Sequence, residues 1–168
     1  MGYCTWAGMN EANRIYHDTE WGIPVHDDRQ MFEHLTLECL QCGLSWDLML
    51  KKREIIRACF DGFDYDKIAA YDEADAERIL NTEGMIRSPR KVQAVINNAR
   101  CYRQVREEYG SFCDYIWGFS GGKTILQDGG TVLLSLCLWP GRRKKQDKRT
   151  VPASCVNNHP LSFVLYKL

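Results

Sequence analysis

Glu38 is a lone carboxylate inside the apolar run Leu37-Glu38-Cys39-Leu40. Three large flat side chains, Tyr16, Trp21 and Trp46, flank it in the sequence. Ring faces attract flat cations, and a carboxylate adds charge of the opposite sign. A stack of aromatics with one acid is what binding a flat, electron-poor, cationic base requires. Such a base is also a good leaving group. Trp6 could extend the set, although core packing is its plainer reading. Cys4 and His17 are two soft metal donors that local chain geometry can bring together, half of a tetrahedral zinc site.

Each of these residues also has an ordinary reading. A buried, unpaired carboxylate is costly, so Glu38 must be exposed, paired or functional. The residue by itself favours an exposed surface acid. A second constellation is Gly84-Met85-Ile86-Arg87-Ser88-Pro89-Arg90-Lys91. A tight turn that ends at a helix start presents backbone N–H groups and a favourable dipole, and so can hold a phosphate. Arg87, Arg90 and Lys91 would add attraction to a nucleic-acid backbone without reading its sequence. A bare glycine turn is more often a plain connection. Lys51, Lys52 and Arg53 read most simply as a solvated helix face.

The elements that must position these groups are helices. Asp27 or Asp28 can cap a helix running to about Cys42, with Phe32, Leu35 and Cys39 on one face. Gly43 ends it. Ser45 can cap the next helix, which carries Leu48, Met49, Ile55 and Ile56. Asp64 and Asp72 start two short helices, the second stopped by Gly84. Ser88-Pro89 restarts the chain as an N-cap followed by proline at the first helical position. Val92, Val95, Ile96, Ala99 and Tyr102 then follow at helical spacing. Ser111 to Asp114 resembles a capping box with aspartate in place of glutamate. Strand-like alternation is almost absent, and the fold class is all-α.

A chain of 168 residues suits one domain with a respectable core. No apolar run is long enough to span a bilayer, and the start lacks the pattern of a signal peptide or a myristoylation site. The expected location is the cytoplasm. The eight cysteines then read as reduced thiols and metal ligands rather than disulfides. The zero net charge hides an asymmetry: residues 1–120 hold 14 Lys+Arg against 20 Asp+Glu, and residues 121–168 hold 8 against 2. Nucleic-acid binding needs a basic face, not a basic total. Beyond residue 123 the texture changes. Leu133 to Trp139 is apolar without helical period, Arg142 to Arg149 is densely basic, and Pro140, Pro152 and Pro160 interrupt any helix.

Taken in order, the motifs resemble the constitutive DNA-3-methyladenine glycosylases, type I, of the helix-hairpin-helix superfamily. The likeness comprises YHD-x-EWG at Tyr16 to Gly22, LE-x-x-Q-x-GLSW at Leu37 to Trp46 and KKRE at Lys51 to Glu54. It continues through RACF at Arg57 to Phe60, G-x-IR at Gly84 to Arg87 and K-x-QA-x-x-x-NAR at Lys91 to Arg100. It covers about residues 4–123. The resemblance implies a glycosylase domain over 1–123 and a divergent segment over 124–168, with a reading-frame change or truncation as one explanation of that segment. It implies a base-excision enzyme that hydrolyses the N-glycosidic bond of 3-methyladenine, acting as a monomer on double-stranded alkylated DNA. Glu38 would face the extruded base, Tyr16, Trp21 and Trp46 would wall it with Trp6 nearby, and Gly84, Arg87, Ser88, Arg90 and Lys91 would hold the DNA. Nothing points to a lyase activity.

The resemblance also implies a structural zinc, held by Cys4, His17 and a later histidine and cysteine. Those two are missing at matching positions. Cys155 and His159 have a workable spacing in reversed order, and the sequence predicts weak zinc or none. The rival reading is a catalytically inactive DNA-binding remnant lacking the C-terminal half of the zinc site. A weaker third is a thiol-based metal or redox protein.

Overall fold

Side-chain caps decide where most of the helices begin. The computed structural model describes residues 4–122 and contains seven α-helices over them. These are α1 (Glu11–Thr19), α2 (Asp28–Gln41), α3 (Trp46–Cys59), α4 (Tyr65–Ala69), α5 (Glu73–Asn81), α6 (Pro89–Tyr109) and α7 (Phe112–Trp117). Among the described residues there is no strand. Asn10 accepts from the Asn13 N–H at 2.9 Å, Asp27 from Gln30 at 2.8 Å, Ser45 from Leu48 at 3.2 Å and Asp64 from Lys67 at 3.2 Å. Asp72 and Asp75 form a full capping box at the start of α5. Each such bond satisfies an N–H that the helix itself leaves open.

Two starts differ from the sequence reading. Ser88 stands at the N-cap of α6 with Pro89 behind it, yet its hydroxyl accepts no capping bond. Ser111 accepts from the Asp114 N–H at 3.2 Å, but Asp114 does not return the bond, and the other donors at this terminus are served from elsewhere. Asp28, far back in the sequence, accepts from the Ser111 hydroxyl at 3.0 Å and from the N–H groups of Phe112 at 3.2 Å and Cys113 at 2.8 Å. The α7 terminus is thus capped by the first turn of α2.

α2 is the central helix. Nine of its residues, Met31 to Glu33 and Leu35 to Cys39 with Leu40, are buried, and α3, α6 and α7 pack around it. α6 runs the length of the domain and also holds α4 and α5. Between them Tyr102 stacks on Phe112 at 3.9 Å between centroids and meets Phe32 edge-on at 5.2 Å. The Tyr102 hydroxyl donates to the Asp28 carbonyl at 2.7 Å, which satisfies the one polar group of an otherwise apolar ring. Burial pushes the ionisation of Tyr102 far above its ordinary range, so it stays a donor. Among the described residues no helix is long and apolar enough to cross a membrane.

The cross-chain cap predicts a measurable loss. Asp28→Ala leaves three donors at the α7 start without their carboxylate, and should lower the unfolding free energy by about 2 kcal/mol. Asp28→Asn should fall between Asp28→Ala and the parent. Urea unfolding of the three proteins measures this. Equal midpoints would mean that water serves those donors equally well.

Candidate active site

Three helices bring the aromatic residues and the acid together. Tyr16 comes from the last turns of α1, Glu38 from the buried middle of α2, and Trp46 from the first position of α3. The Tyr16 and Trp46 rings lie 5.1 Å apart between centroids, inclined at 51°. Tyr16 is buried, Glu38 is 9 % exposed and Trp46 is half-buried. Burial, then the charges of Glu38 and Glu20, push the Tyr16 phenol well above its ordinary range, while Arg53 opposes them. Glu38 is thus within electrostatic reach of the ring, and burial chiefly keeps the phenol protonated. Glu38 is therefore not the exposed surface acid that the residue taken alone suggests.

A second aromatic layer continues outward. Trp6 meets Trp21 edge-on at 5.6 Å and His17 at 5.3 Å, and His17 stacks on Trp21 at 5.4 Å and 18°. Trp6 also lies 6.2 Å from Tyr16. Trp6 is half-buried in this group rather than part of the hydrophobic core, which corrects its plainer reading. Trp21 is 43 % exposed, the rim of the set.

An ionic network anchors this layer, and sequence reasoning missed it. Glu33, buried on α2, accepts from Arg53 Nε at 2.6 Å and from Arg57 Nη2 at 2.7 Å. Arg53 Nη1 reaches on to Glu20 at 2.7 Å, next to Trp21. The KKRE segment is thus only partly a solvated face. Lys51 is exposed and pairs with Asp47 at 2.7 Å one turn away. Lys52 and Arg53 turn inward. The available signal was Glu33 itself, an acid between Phe32 and Leu35 on an apolar helix face, which needs a partner when buried.

The α5–α6 connection carries the proposed phosphate-binding residues. Gly84 has φ +79°, a left-handed conformation suited to glycine, and a Cβ there would come within 2.8 Å of Ile55 Cδ1. Arg87 and Arg90 are exposed and form no ion pair among the described residues. Lys91 differs: its ammonium donates to the carbonyls of Leu40 and Cys42, each at 2.7 Å.

Among the described residues the metal donors that gather are fewer than a structural zinc site needs. Cys4 is half-buried, and His17 Nδ1 lies 2.8 Å from Asp18 Oδ1. Among the described residues no group of three or more Cys, His, Asp or Glu side chains gathers to hold a metal. A structural zinc takes four ligands, so Cys4 and His17 do not make one alone. Cys155 and His159 lie outside the described residues, as does the basic run of 142–149. For the thiol-redox reading, Cys39 is a poor candidate. Burial pushes the Cys39 thiol up to about 11, with Cys42 adding and Lys91 opposing, and a thiol held protonated is a poor nucleophile.

Known proteins share this arrangement of helices. A solved 3-methyladenine DNA glycosylase I superposes with a TM-score of 0.72 at 42% identity, covering 78% of this chain and 72% of that one. A variant of 3-methyladenine DNA glycosylase I, solved in complex with 3-methyladenine, superposes with a TM-score of 0.70 at 31% identity, over 73% of this chain and 66% of that one. In sequence, DNA-3-methyladenine glycosylase 1 of Escherichia coli K12 is 45% identical over 119 residues, which are 71% of this chain and 64% of that protein. The aligned part thus spans a little under two thirds of that relative. The methyladenine glycosylase family model matches residues 6–132, three-quarters of the chain, and with the helices and motifs it matches, this chain belongs to that family.

Proposed function

We propose that this protein is a base-excision repair glycosylase that hydrolyses the N-glycosidic bond of 3-methyladenine in alkylated double-stranded DNA. The observation that carries the reading is the meeting of Tyr16, Trp46 and Glu38, from three helices, with Glu38 largely withdrawn from water. The relatives' names support it. The α5–α6 hairpin serves as the helix-hairpin-helix element, acting as the DNA clamp, with Arg87 and Arg90 on phosphates. The start of α6 supports this: Pro89 has no N–H, Lys91 and Val92 donate to the Ser88 carbonyl at 3.1 Å, and without a side-chain cap from Ser88 the Arg90 N–H is left to another acceptor. The protein acts as a monomer in the cytoplasm.

The chemistry follows from the substrate's charge. A base must leave the stack before these residues can reach it. Methylation at the 3-position makes the adenine a cation and weakens its bond to the sugar. When that bond breaks, its electron pair moves to the base and cancels the positive charge. Water supplies the oxygen that joins the sugar carbon and gives up a proton, leaving an abasic site. The leaving group needs no strong acid. Aromatic faces and Glu38 hold the cation, and Glu38 accepts hydrogen bonds from the adenine edge. Catalysis then rests on selective binding, strain and placement of water.

The decisive measurement is release of free 3-methyladenine from methylated DNA by the purified chain. Glu38→Gln should lower the rate by roughly a hundredfold or more, the scale of a lost electrostatic stabiliser. Duplex affinity should change little. An active, folded Glu38→Gln protein would remove Glu38 from the reaction. A parent protein that binds duplex but releases no base would favour the inactive DNA-binding remnant.

The hairpin gives a second prediction. Arg87→Ala or Arg90→Ala should weaken binding to all duplex sequences about equally and reduce the salt slope by up to about 0.9 for each phosphate no longer neutralised. Titrations at several salt concentrations test it. Unchanged slopes would make the hairpin a simple turn.

A third concerns the metal. Cys4 and His17 would supply two donors of a structural zinc, and two more would have to come from residues 123–168. Cys155 and His159, the later pair with a workable spacing, stand in reversed order, so zinc should be substoichiometric after purification without chelator, as elemental analysis would measure. One tightly held zinc per chain, lost in Cys155→Ser, would show that Cys155 and its neighbours complete the site.

A further inference from the structure

From the hydrogen bonds of its ammonium, we infer that Lys91 positions the pocket from the DNA-binding hairpin, instead of holding a phosphate. The inference rests on the proposed glycosylase reading for the identity of the pocket and hairpin. An ammonium has three donors, and Lys91 directs bonds at two carbonyls of the α2 terminus, Leu40 and Cys42, each at 2.7 Å. Carbonyls in the last turn of a helix lack intrahelical partners and carry partial negative charge. A lysine there satisfies both needs. The side chain is half-buried, whereas Arg87 and Arg90 beside it are exposed.

The place of those bonds gives them a function. Glu38 lies two residues before Leu40, and Trp46 lies four residues after Cys42. The intervening turn is closed locally by the Leu44 N–H on the Gln41 carbonyl at 2.6 Å, and Gln41 Nε2 returns to the Leu44 carbonyl at 3.3 Å. Lys91 grips the joint between the helix that carries the acid and the helix that carries the ring. A second lysine works the other way. Lys52 on α3 donates to the Gly84 carbonyl, in the hairpin itself, and Ile55 of the same helix fills the space above Gly84. Hairpin and pocket helices are thus tied twice, once by a residue of α6 reaching α2 and once by a residue of α3 reaching the hairpin. Docking the hairpin on a phosphate backbone then fixes the relation of Glu38 to Trp46.

The test compares full-length parent, Lys91→Met, Lys91→Arg and Arg90→Ala. Three quantities are read: affinity for free 3-methyladenine, the single-turnover rate on methylated duplex, and duplex affinity as a function of salt. Lys91→Met should weaken free-base binding by about tenfold, the scale of a lost hydrogen bond from a charged donor. Its excision rate should fall while its salt slope stays that of the parent, and Lys91→Arg should restore much of both losses. Arg90→Ala should show the reverse pattern, a flatter salt slope with parental free-base affinity. If Lys91→Met instead flattens the salt slope and leaves free-base binding intact, Lys91 is a phosphate contact and the inference is overturned. Should Lys91→Met not fold, Lys52→Met cuts the other tie and is read in the same assays. Amide exchange of residues 39–46 separates this inference from the glycosylase reading. If the parent neither binds nor releases the base, that reading fails, yet faster exchange there in Lys91→Met still supports the tie and unchanged exchange refutes it.

Discussion

The bonds from Arg53 and Arg57 to Glu33 are what allow α2 to be the core of this domain and the floor of its site at once. α2 is buried over most of its length, and two of its buried residues are acids, Glu33 and Glu38. A charge taken from water costs several kcal/mol unless it is paired and hydrogen-bonded. Glu33 meets that condition through two guanidinium groups at 2.6 and 2.7 Å. The network does more than neutralise, because Arg53 also binds Glu20 and so draws the end of α1, with Tyr16 and Trp21, against α2 and α3. Breaking one partner of a buried pair strands the other, so the N-terminal aromatics and the core are energetically one unit.

Long-range charged hydrogen bonds recur wherever two helices must keep a fixed relation. Asp28 caps α7, Lys91 caps α2, Lys52 holds Gly84, and Arg100 donates to the carbonyls of Ala69 and Tyr71 at 3.0 Å each. In each case a charged side chain fills the orphan groups at a chain reversal. Apolar packing is tolerant of small shifts, whereas a two-point hydrogen bond is not. Of these bonds, those of Lys91 lie at the turn between Glu38 and Trp46 and so bear on the aromatic set.

This explains what the sequence revealed and what it hid. The starts at Asp27, Ser45, Asp64 and Asp72 were legible because a cap and the N–H it serves are three residues apart or fewer. The meeting of Tyr16, Glu38 and Trp46 came from resemblance, since no local rule joins α1, α2 and α3. Glu38 by itself read as a surface acid, and Lys91 as one of three hairpin cations. The partner of Lys91 is 49 and 51 residues away, and that of Asp28 in α7 is 83 to 85 away. Side-chain type at such a separation states a need for a partner without saying which. Ser88 shows the converse limit: the right residue for a cap, at the right position, whose hydroxyl makes no capping bond.

Selectivity in such a site is a matter of charge difference. A neutral adenine and a methylated one offer nearly the same flat surface, so in the proposed site the area stacked on Tyr16 and Trp46 would separate them little, and only the charge felt by the ring faces and by Glu38 would. What differs is the positive charge. A base that displaces water from Glu38 without bringing a charge leaves that carboxylate worse solvated, and so is penalised. A cationic base replaces the lost hydration with a direct attraction in a site of low dielectric, where the attraction is stronger than in water. The same acid that would make a poor catalyst for a neutral leaving group thus discriminates against it. A strong general acid in that position would erode this distinction, because it would activate undamaged adenine as well. Holding a withdrawn carboxylate beside aromatic faces would then be the more selective design, and the pairing of Glu33 with Arg53 and Arg57, which lets α2 stay buried, makes it structurally possible.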